Sequence, residues 1–457
     1  MTLSLSWALR LTRRSAALLK EIILKEQIKK YFEENKDIMV SELSELIKIP
    51  SVGVTDSAFD GEIKNVFSCA CRLAEKYGFK TESKRRYALA KTFSGRGQIG
   101  IFSHLDVVPA KEDEWSITSP FSPLVKGGAL FGRGSIDDKC AAIIAIHAAD
   151  AIKKLSIPFN SELLLYMGGD EECGMTDLAE FVKNERMPDI SLVPDNEFPV
   201  CLGEKGIAVL ELECKNEFEY IKNISGGSVH NVSLGEITAE LPCGTFTGRG
   251  VSTHAAMPEG SVNAGLALCD KLLEMDNIPD SDKKILLTMK NSQKSPYGEF
   301  FGIDCSDSRF GKLTCVNGVV KTQGGKLAIT LDIRYGTEIS FSEIKEKISA
   351  SLPDFTLKVL TDKPPFVLPE NDLGRRFEEI YNDVTGKTAK AYYSGGGTYA
   401  RMLKNAYGVG TSTKAPDLSL PEGHGSEHQP DECISVDGLT EAAEIITHML
   451  IVADKNY

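Results

Sequence analysis

The chain has 457 residues, 42% of them hydrophobic, and a formal net charge of −13. That length can bury large cores in two or three domains, and the acidic balance argues against nucleic acid and against anionic membrane surfaces as partners. The eleven cysteines show no CxxC pair and no regular spacing, and no apolar run approaches the roughly 20 residues that span a bilayer, so the sequence reads as a reduced, cytoplasmic protein.

Residues 1–24 mix Trp7, Leu9, Leu11 and Leu18 with Arg10, Arg13 and Arg14. The stretch lacks a signal-peptide cleavage pattern and is read as a poorly ordered extension ahead of a fold starting near Leu24. Apolar spacing then predicts helices over 26–49, ended by Pro50, and over 61–77, closed by Gly78.

The run Ile99–Phe102 is short, β-branched and flanked by glycine, which predicts a buried strand with His104 and Asp106 at its C-terminal edge. Loops leaving such edges build the sites of parallel α/β sheets, so an imidazole and a carboxylate there suit a metal ligand and its support. Gly132-Arg133-Gly134-Ser135-Ile136-Asp137-Asp138 follows, a glycine-rich turn ending in paired carboxylates before a predicted helix over 141–149. A divalent cation would balance two carboxylates that otherwise repel. Taken alone, each piece is more often an ordinary surface or capping pair than a ligand set.

The next predicted strand, 163–167, runs into Asp170-Glu171-Glu172, three carboxylates that burial would make costly without partners. One of these Glu residues can hold a metal while its neighbour acts as a general base. A strand over 190–193 ends at Asp195. After Gly206 the texture changes to alternating strands, Gly- and Ser-rich turns and interleaved helices, an α+β pattern. The Pro-rich piece 363–366 reads as the return linker. The chain resumes with a helix over 374–384, the loop 394–399 and the tail Gly423-His424-Gly425-Ser426-Glu427-His428-Gln429-Pro430-Asp431-Glu432, then a closing helix over 436–452.

With these motifs in this order, the chain from about Leu24 resembles the co-catalytic zinc peptidases that include aminoacylase, carboxypeptidase G, succinyl-diaminopimelate desuccinylase and the PepV-like dipeptidases. The resemblance implies an α/β catalytic domain with a mixed sheet flanked by helices, interrupted by an inserted α+β lid. The boundaries read as 1–24 for the extension, 25–206 and 366–457 for the catalytic domain, and 207–365 for the lid. It further implies two Zn²⁺ per chain, with Mn²⁺ or Co²⁺ compatible with the same hard and borderline ligands.

Carried over by position, the implied metal ligands are His104, Asp137, Glu172, Asp195 and His428, with Asp137 bridging and its bond to Asp138 cis. Asp106 would orient the His104 imidazole and Glu171 would be the general base. His428 is preferred to His424 because it precedes Pro430 and Glu432. In the lid, His254 would stabilise the oxyanion, Arg334 would grip the substrate's C-terminal carboxylate and Asn231 would bind substrate. Gly395, Gly396 and Gly397 would form a carboxylate nest within a Gly-Gly-Gly-Thr-Tyr-Ala-Arg run shared with PepV-like enzymes. Cys140 and Cys173, beside the motifs, are expected to be buried as small hydrophobes.

The implied activity is metal-dependent hydrolysis of dipeptides with a free C-terminal carboxylate, by a monomer or homodimer whose partner is a small peptide. An N-acyl amino acid deacylase would use the same centre, and a catalytically silent peptide- or metal-binding relative is the alternative of another class.

Overall fold

The structure is a computed structural model that describes residues 2–53 and 61–455, with side chains described from Leu19 onward except that of Glu21. The side chains of residues 1–18, Trp7 and Arg10 among them, therefore lie outside the described ones. Two compact units emerge: residues 1–202, 368–392 and 398–457 form the first, and 203–367 with 393–397 form the second.

The chain opens with one helix, α1 (Thr2–Ile47), so residues 2–24 are its first turns. No Gly or Pro interrupts the sequence before Pro50, which ends the helical stretch. The α1 C-terminus has a partner that local patterning did not suggest. Lys139, fully buried, donates to the carbonyls of Leu46 at 2.9 Å and Ile49 at 2.7 Å. A cation there answers both the unsatisfied carbonyls and the helix dipole.

Next come α2 (Glu62–Lys76), β1 (Lys80–Ser83), β2 (Tyr87–Thr92), β3 (Gln98–His104), β4 (Leu124–Lys126) and β5 (Ala129–Phe131). They are followed by α3 (Lys139–Lys154), β6 (Glu162–Gly168), α4 (Thr176–Asn184) and β7 (Ile190–Asn196). The apolar runs in β3 and β6 are buried along nearly their whole length, as expected of central parallel strands.

The second unit carries β8 (Gly206–Glu217), β9 (Asn223–Gly226), β10 (Glu236–Leu241) and β11 (Gly244–Arg249), then α5 (Ala264–Leu273) and α6 (Asp280–Ser292). β12 (Thr314–Gln323), β13 (Lys326–Tyr335), α7 (Phe341–Ser351) and β14 (Phe355–Lys363) complete it. Its antiparallel sheet runs β11-β10-β9-β12-β13-β8-β14, and one apolar core spans Leu210, Leu268, Leu286, Ile329 and Ile344. Asn263 caps α5 by accepting the Gly265 N–H.

The return adds α8 (Asp372–Thr385), β15 (Ala406–Gly410), β16 (Cys433–Ser435) and α9 (Val436–Asp454) to the first unit. Its main sheet runs β1-β2-β6-β3-β7-β15, with β6, β3, β7 and β15 parallel and β1 and β2 antiparallel at one edge. A second sheet, β16-β5-β4, joins residues 302 apart, pairing Phe131 with Cys433. Among the described residues, no helix is long and apolar enough to cross a membrane.

Candidate metal centre

The parallel register places His104, the last residue of β3, level with Gly168, the last of β6. Asp170-Glu171-Glu172 therefore leaves the sheet beside His104, and Asp195 closes β7 on the adjoining strand. Asp106 fixes that loop, its two carboxylate oxygens accepting the N–H groups of Glu171 at 3.2 Å and Glu172 at 3.1 Å. Its relation to His104 differs from the expected carboxylate contact. Nδ1 lies 2.9 Å from the Asp106 backbone carbonyl, whereas the nearest carboxylate oxygen is 3.5 Å away.

Nε2 of His104 then faces Asp137 Oδ1 at 2.9 Å and Asp195 Oδ1 at 3.9 Å. On the other side of Asp137, His428 Nε2 lies 2.9 Å from Oδ2 and 3.0 Å from Glu172 Oε1. Asp137 is thus shared between two imidazoles, and the Asp137–Asp138 bond is cis. Ligand atoms of His104, Glu171 and Asp195 fall within 4.8 Å of one another, as do those of His104, Asp137 and Glu172. His424 is elsewhere: its Nδ1 sits 2.8 Å from Asp431 Oδ2.

Charge in this cluster is lopsided. Burial, with the charge of Glu172, Asp106 and Asp137 beside it, outweighs the opposing pull of His104 and holds Glu171 well above the usual carboxylate range. Burial and the neighbouring Glu171 do the same for Asp195. Asp137 is driven the other way, because hydrogen bonds and charge from the two imidazoles outweigh its burial. Burial disfavours the imidazolium of His428, yet Asp137 and Glu172 raise it to about 11, and Asp106 and Asp137 likewise hold His104 above its ordinary value. Protons on two imidazoles stand here where a cation would satisfy the same carboxylates.

The donor set fits divalent metal. Oδ1 of Asp138 is buried without a hydrogen-bond partner among the described residues, and Oδ1 of Asp137 faces His104 Nε2 at 2.9 Å. Carboxylate oxygens converging with imidazole nitrogens are what a zinc-type site offers.

Three supports were not read from the sequence as such. Glu432 is fully buried and its Oε1 accepts the N–H groups of Gly134 at 3.0 Å and Ile136 at 3.1 Å, while Oε2 receives Arg133 at 2.5 Å. This clamps the loop that delivers Asp137. Asp177 accepts the N–H groups of Gly169 at 2.8 Å and Asp170 at 3.2 Å and the Tyr399 hydroxyl at 2.5 Å, steadying the acidic loop after β6. Asp431 accepts from Ser116 and Ile117. A carboxylate beside a ligand motif was the only sequence signal for these roles.

The second unit gathers the remaining candidates. Arg334 is buried, and Asp332 takes its Nε at 2.6 Å and Nη2 at 3.1 Å, while Nη1 points at the Gly395 carbonyl 3.5 Å away. Asp332 also faces His230 Nδ1 at 2.9 Å, a partner the sequence reading missed. Burial raises and His230 and Arg334 lower the Asp332 carboxyl, with the net effect downward. Asn231 and His254 are brought together by a bridge between Val232 and His254, and by the Ala255 N–H on the Asn231 carbonyl at 2.8 Å.

Two expectations are corrected. Residues 395–397 contain no left-handed glycine, and the Gly396 N–H is taken by Ser394 Oγ at 3.0 Å, so they do not form an open nest. A serine two residues before the donor closes its own turn instead. Cys140 is buried but Cys173 is exposed, because the loop after Glu172 turns to the surface at Gly174, φ 144°.

Strand-end imidazoles and carboxylates on a parallel sheet, with a buried carboxylate free to take a proton, define a metal-centred hydrolase. Residues 100–451 match the profile of Peptidase family M20/M25/M40, and the chain belongs to that family of peptide hydrolases. It is 28% identical over 458 residues to "Putative dipeptidase YtjP" of Bacillus subtilis, covering 90% of this chain and 96% of that protein. It is 27% identical to a "Putative dipeptidase" of Staphylococcus epidermidis, covering 92% and 97%. The fold matches human carnosine dipeptidase 1 with a TM-score of 0.62 at 15% identity, covering 94% of this chain and 99% of that one. The dipeptidase Dug1p of Saccharomyces cerevisiae gives 0.61 at 16%, covering 94% and 98%.

Proposed function

We propose that the chain is a dipeptidase that cleaves dipeptides with a free C-terminal carboxylate, using two divalent cations, read as Zn²⁺ with Mn²⁺ or Co²⁺ suited by the same ligands. The observation that carries this reading is the sharing of Asp137 between His104 and His428, with Glu172 and Asp195 beside them and Glu171 within reach. Relatives matched along at least nine-tenths of the chain carry dipeptidase names, which favours dipeptides over acyl amino acids.

In this reading His104, Asp137 and Asp195 hold one cation, and Asp137, Glu172 and His428 the other. When bound, such cations supply Lewis acidity, acidifying a water and polarising a carbonyl. Glu171 takes the proton of the attacking water on its carboxylate and later gives it to the departing amine. Its raised proton affinity, set by burial, suits both halves of that task. Asp106 keeps His104 and the Glu171 backbone in place. From the second unit, His254 is assigned to the carbonyl oxygen, and Arg334 and Asn231 to the substrate's carboxylate end. Asp332 orients the guanidinium through Nε and Nη2, while Nη1 lies 3.5 Å from the Gly395 carbonyl.

The test is hydrolysis of a dipeptide panel beside matching N-acetyl and N-succinyl amino acids, with chelated protein and after Zn²⁺ or Mn²⁺ is restored. Dipeptide turnover that needs metal and falls about 10²–10⁴-fold in Glu171→Gln is expected. Turnover of acyl amino acids alone would replace the substrate assignment.

A further inference from the structure

His230 stands beside the buried Arg334–Asp332 pair, and the peptidase reading gives it no task. Its side chain is 48% exposed, whereas that of Asp332 is fully buried and that of Arg334 nearly so.

Two glycines set its place. β9 ends at Gly226, Gly227 turns the chain at φ 74°, and a Cβ on Gly227 would stand 1.9 Å from the Gly318 carbonyl oxygen. Gly318 lies in the irregularity of β12, where the register against β13 shifts between Asn317 and Val319. A Cβ on Gly318 would stand 2.2 Å from the His230 carbonyl oxygen. Irregularities of this kind re-aim side chains beside functional sites. Here the close approach lets the chain after β9 cross β12 and bring His230 Nδ1 within 2.9 Å of Asp332 on β13.

The shared carboxylate fixes which ring nitrogen is available. Asp332 Oδ1 accepts Arg334 Nε at 2.6 Å, and Oδ2 accepts both Arg334 Nη2 at 3.1 Å and His230 Nδ1. Burial would raise this carboxyl, but His230 and Arg334 hold it below the ordinary carboxylate range, so it is ionised and can only accept. Nδ1 therefore carries a hydrogen. Nε2, at the other edge of the ring, has no hydrogen-bond partner among the described residues. Arg334 alone grips an anion weakly, because Nε and Nη2 are engaged by Asp332, Nη1 lies 3.5 Å from the Gly395 carbonyl, and one carboxylate cancels one guanidinium. A second cation on the same carboxylate restores a positive balance, and a doubly protonated imidazole is such a cation, one residue from Asn231.

We propose that His230 is a substrate-binding residue that donates from Nε2 to the substrate's C-terminal carboxylate beside Arg334, with Asp332 holding both cations in place. The assignment rests on the reading of Arg334 as the carboxylate anchor and adds the group that gives that anchor its charge.

The test uses leucine and leucinol, which differ only in that CH₂OH replaces the carboxylate, titrated by calorimetry into the Zn²⁺-loaded full chain after free metal is removed. His230→Gln should weaken leucine binding by at least about tenfold while leaving leucinol within about threefold of the parent. His230→Arg, which keeps a cation at the position, should hold leucine within about threefold of the parent. Equal leucine binding by His230→Gln and the parent overturns the proposal. So does an equal loss for leucine and leucinol, which would make the imidazole a shaper of the loop, and so does a His230→Arg protein as weak as His230→Gln. Neither ligand has a peptide bond, so this comparison stands apart from turnover: dipeptides left uncleaved by the metal-restored protein would overturn the dipeptidase reading and leave the binding result to decide the role of His230.

Discussion

Glu432 offers the sharpest test of how the centre is held. Its carboxylate is the acceptor for the Gly134 and Ile136 N–H groups, lies 3.4 Å from the Asp137 N–H, and is the ion-pair partner of Arg133. Both charged side chains are almost wholly buried, at 3% and 1% exposure. Glu432→Ala leaves the guanidinium and the loop donors without their acceptor. Breaking a buried pair from one side costs about 3–5 kcal/mol, and this figure already includes the overlapping loss of the backbone bonds, which do not add to it independently. Urea unfolding followed by circular dichroism should therefore show about 3–5 kcal/mol lost. Calorimetric titration of Zn²⁺ should show weaker binding, since the freed loop ends at Asp137. Replacing both partners, as in Arg133→Met with Glu432→Leu, should recover much of the stability but not the metal affinity. A Glu432→Ala protein within about 1 kcal/mol of the parent and with unchanged Zn²⁺ affinity would refute the clamp.

Other outcomes follow from the same geometry. His428→Ala should weaken metal binding by at least about a hundredfold, whereas His424→Ala, which removes a contact to Asp431, should stay within about tenfold, as metal titration of the two variants will show. Asp332→Asn should raise KM about tenfold with a smaller change in kcat, because it loosens a guanidinium assigned to binding; steady-state kinetics showing an equal fall in kcat would contradict that assignment. Burial, with Glu441, Glu33 and Glu26 acting against the pull of Lys29, pushes Glu444 on α9 up to about 7. A carboxyl raised on folding adds stability below its unfolded value of about 4.3 and loses it as pH climbs to 7, here about 3 kcal/mol. Glu444→Gln should flatten that part of the stability curve, and urea midpoints at pH 5 and pH 8 that shift equally in the variant would count against it.

What the sequence determined by itself was local. Short apolar runs leading to His104, Gly168 and Asp195 announced parallel strands with chemistry at their C-terminal ends, because burial on both faces leaves an unbroken apolar string. The glycine-rich turn before Asp137 and the texture change after Gly206 were legible for the same reason: each is written in adjacent residues. The catalytic and lid motifs could thus be read in order along the chain.

Only the tertiary structure decided which distant residues meet. Pairing of β5 with β16 brings Glu432 to the Asp137 loop across 295 residues, and nothing in either segment's periodicity encodes that register. The position of His428 before Pro430 and Glu432 already favoured it over His424, and the packed loop adds that His428 Nε2 lies 2.9 Å from Asp137 whereas His424 faces Asp431. Lys139 at the end of α1 and His230 beside Arg334 are both consequences of packing. A residue's type gives its donors and acceptors, but whether water or protein answers them is settled only when the chain has packed.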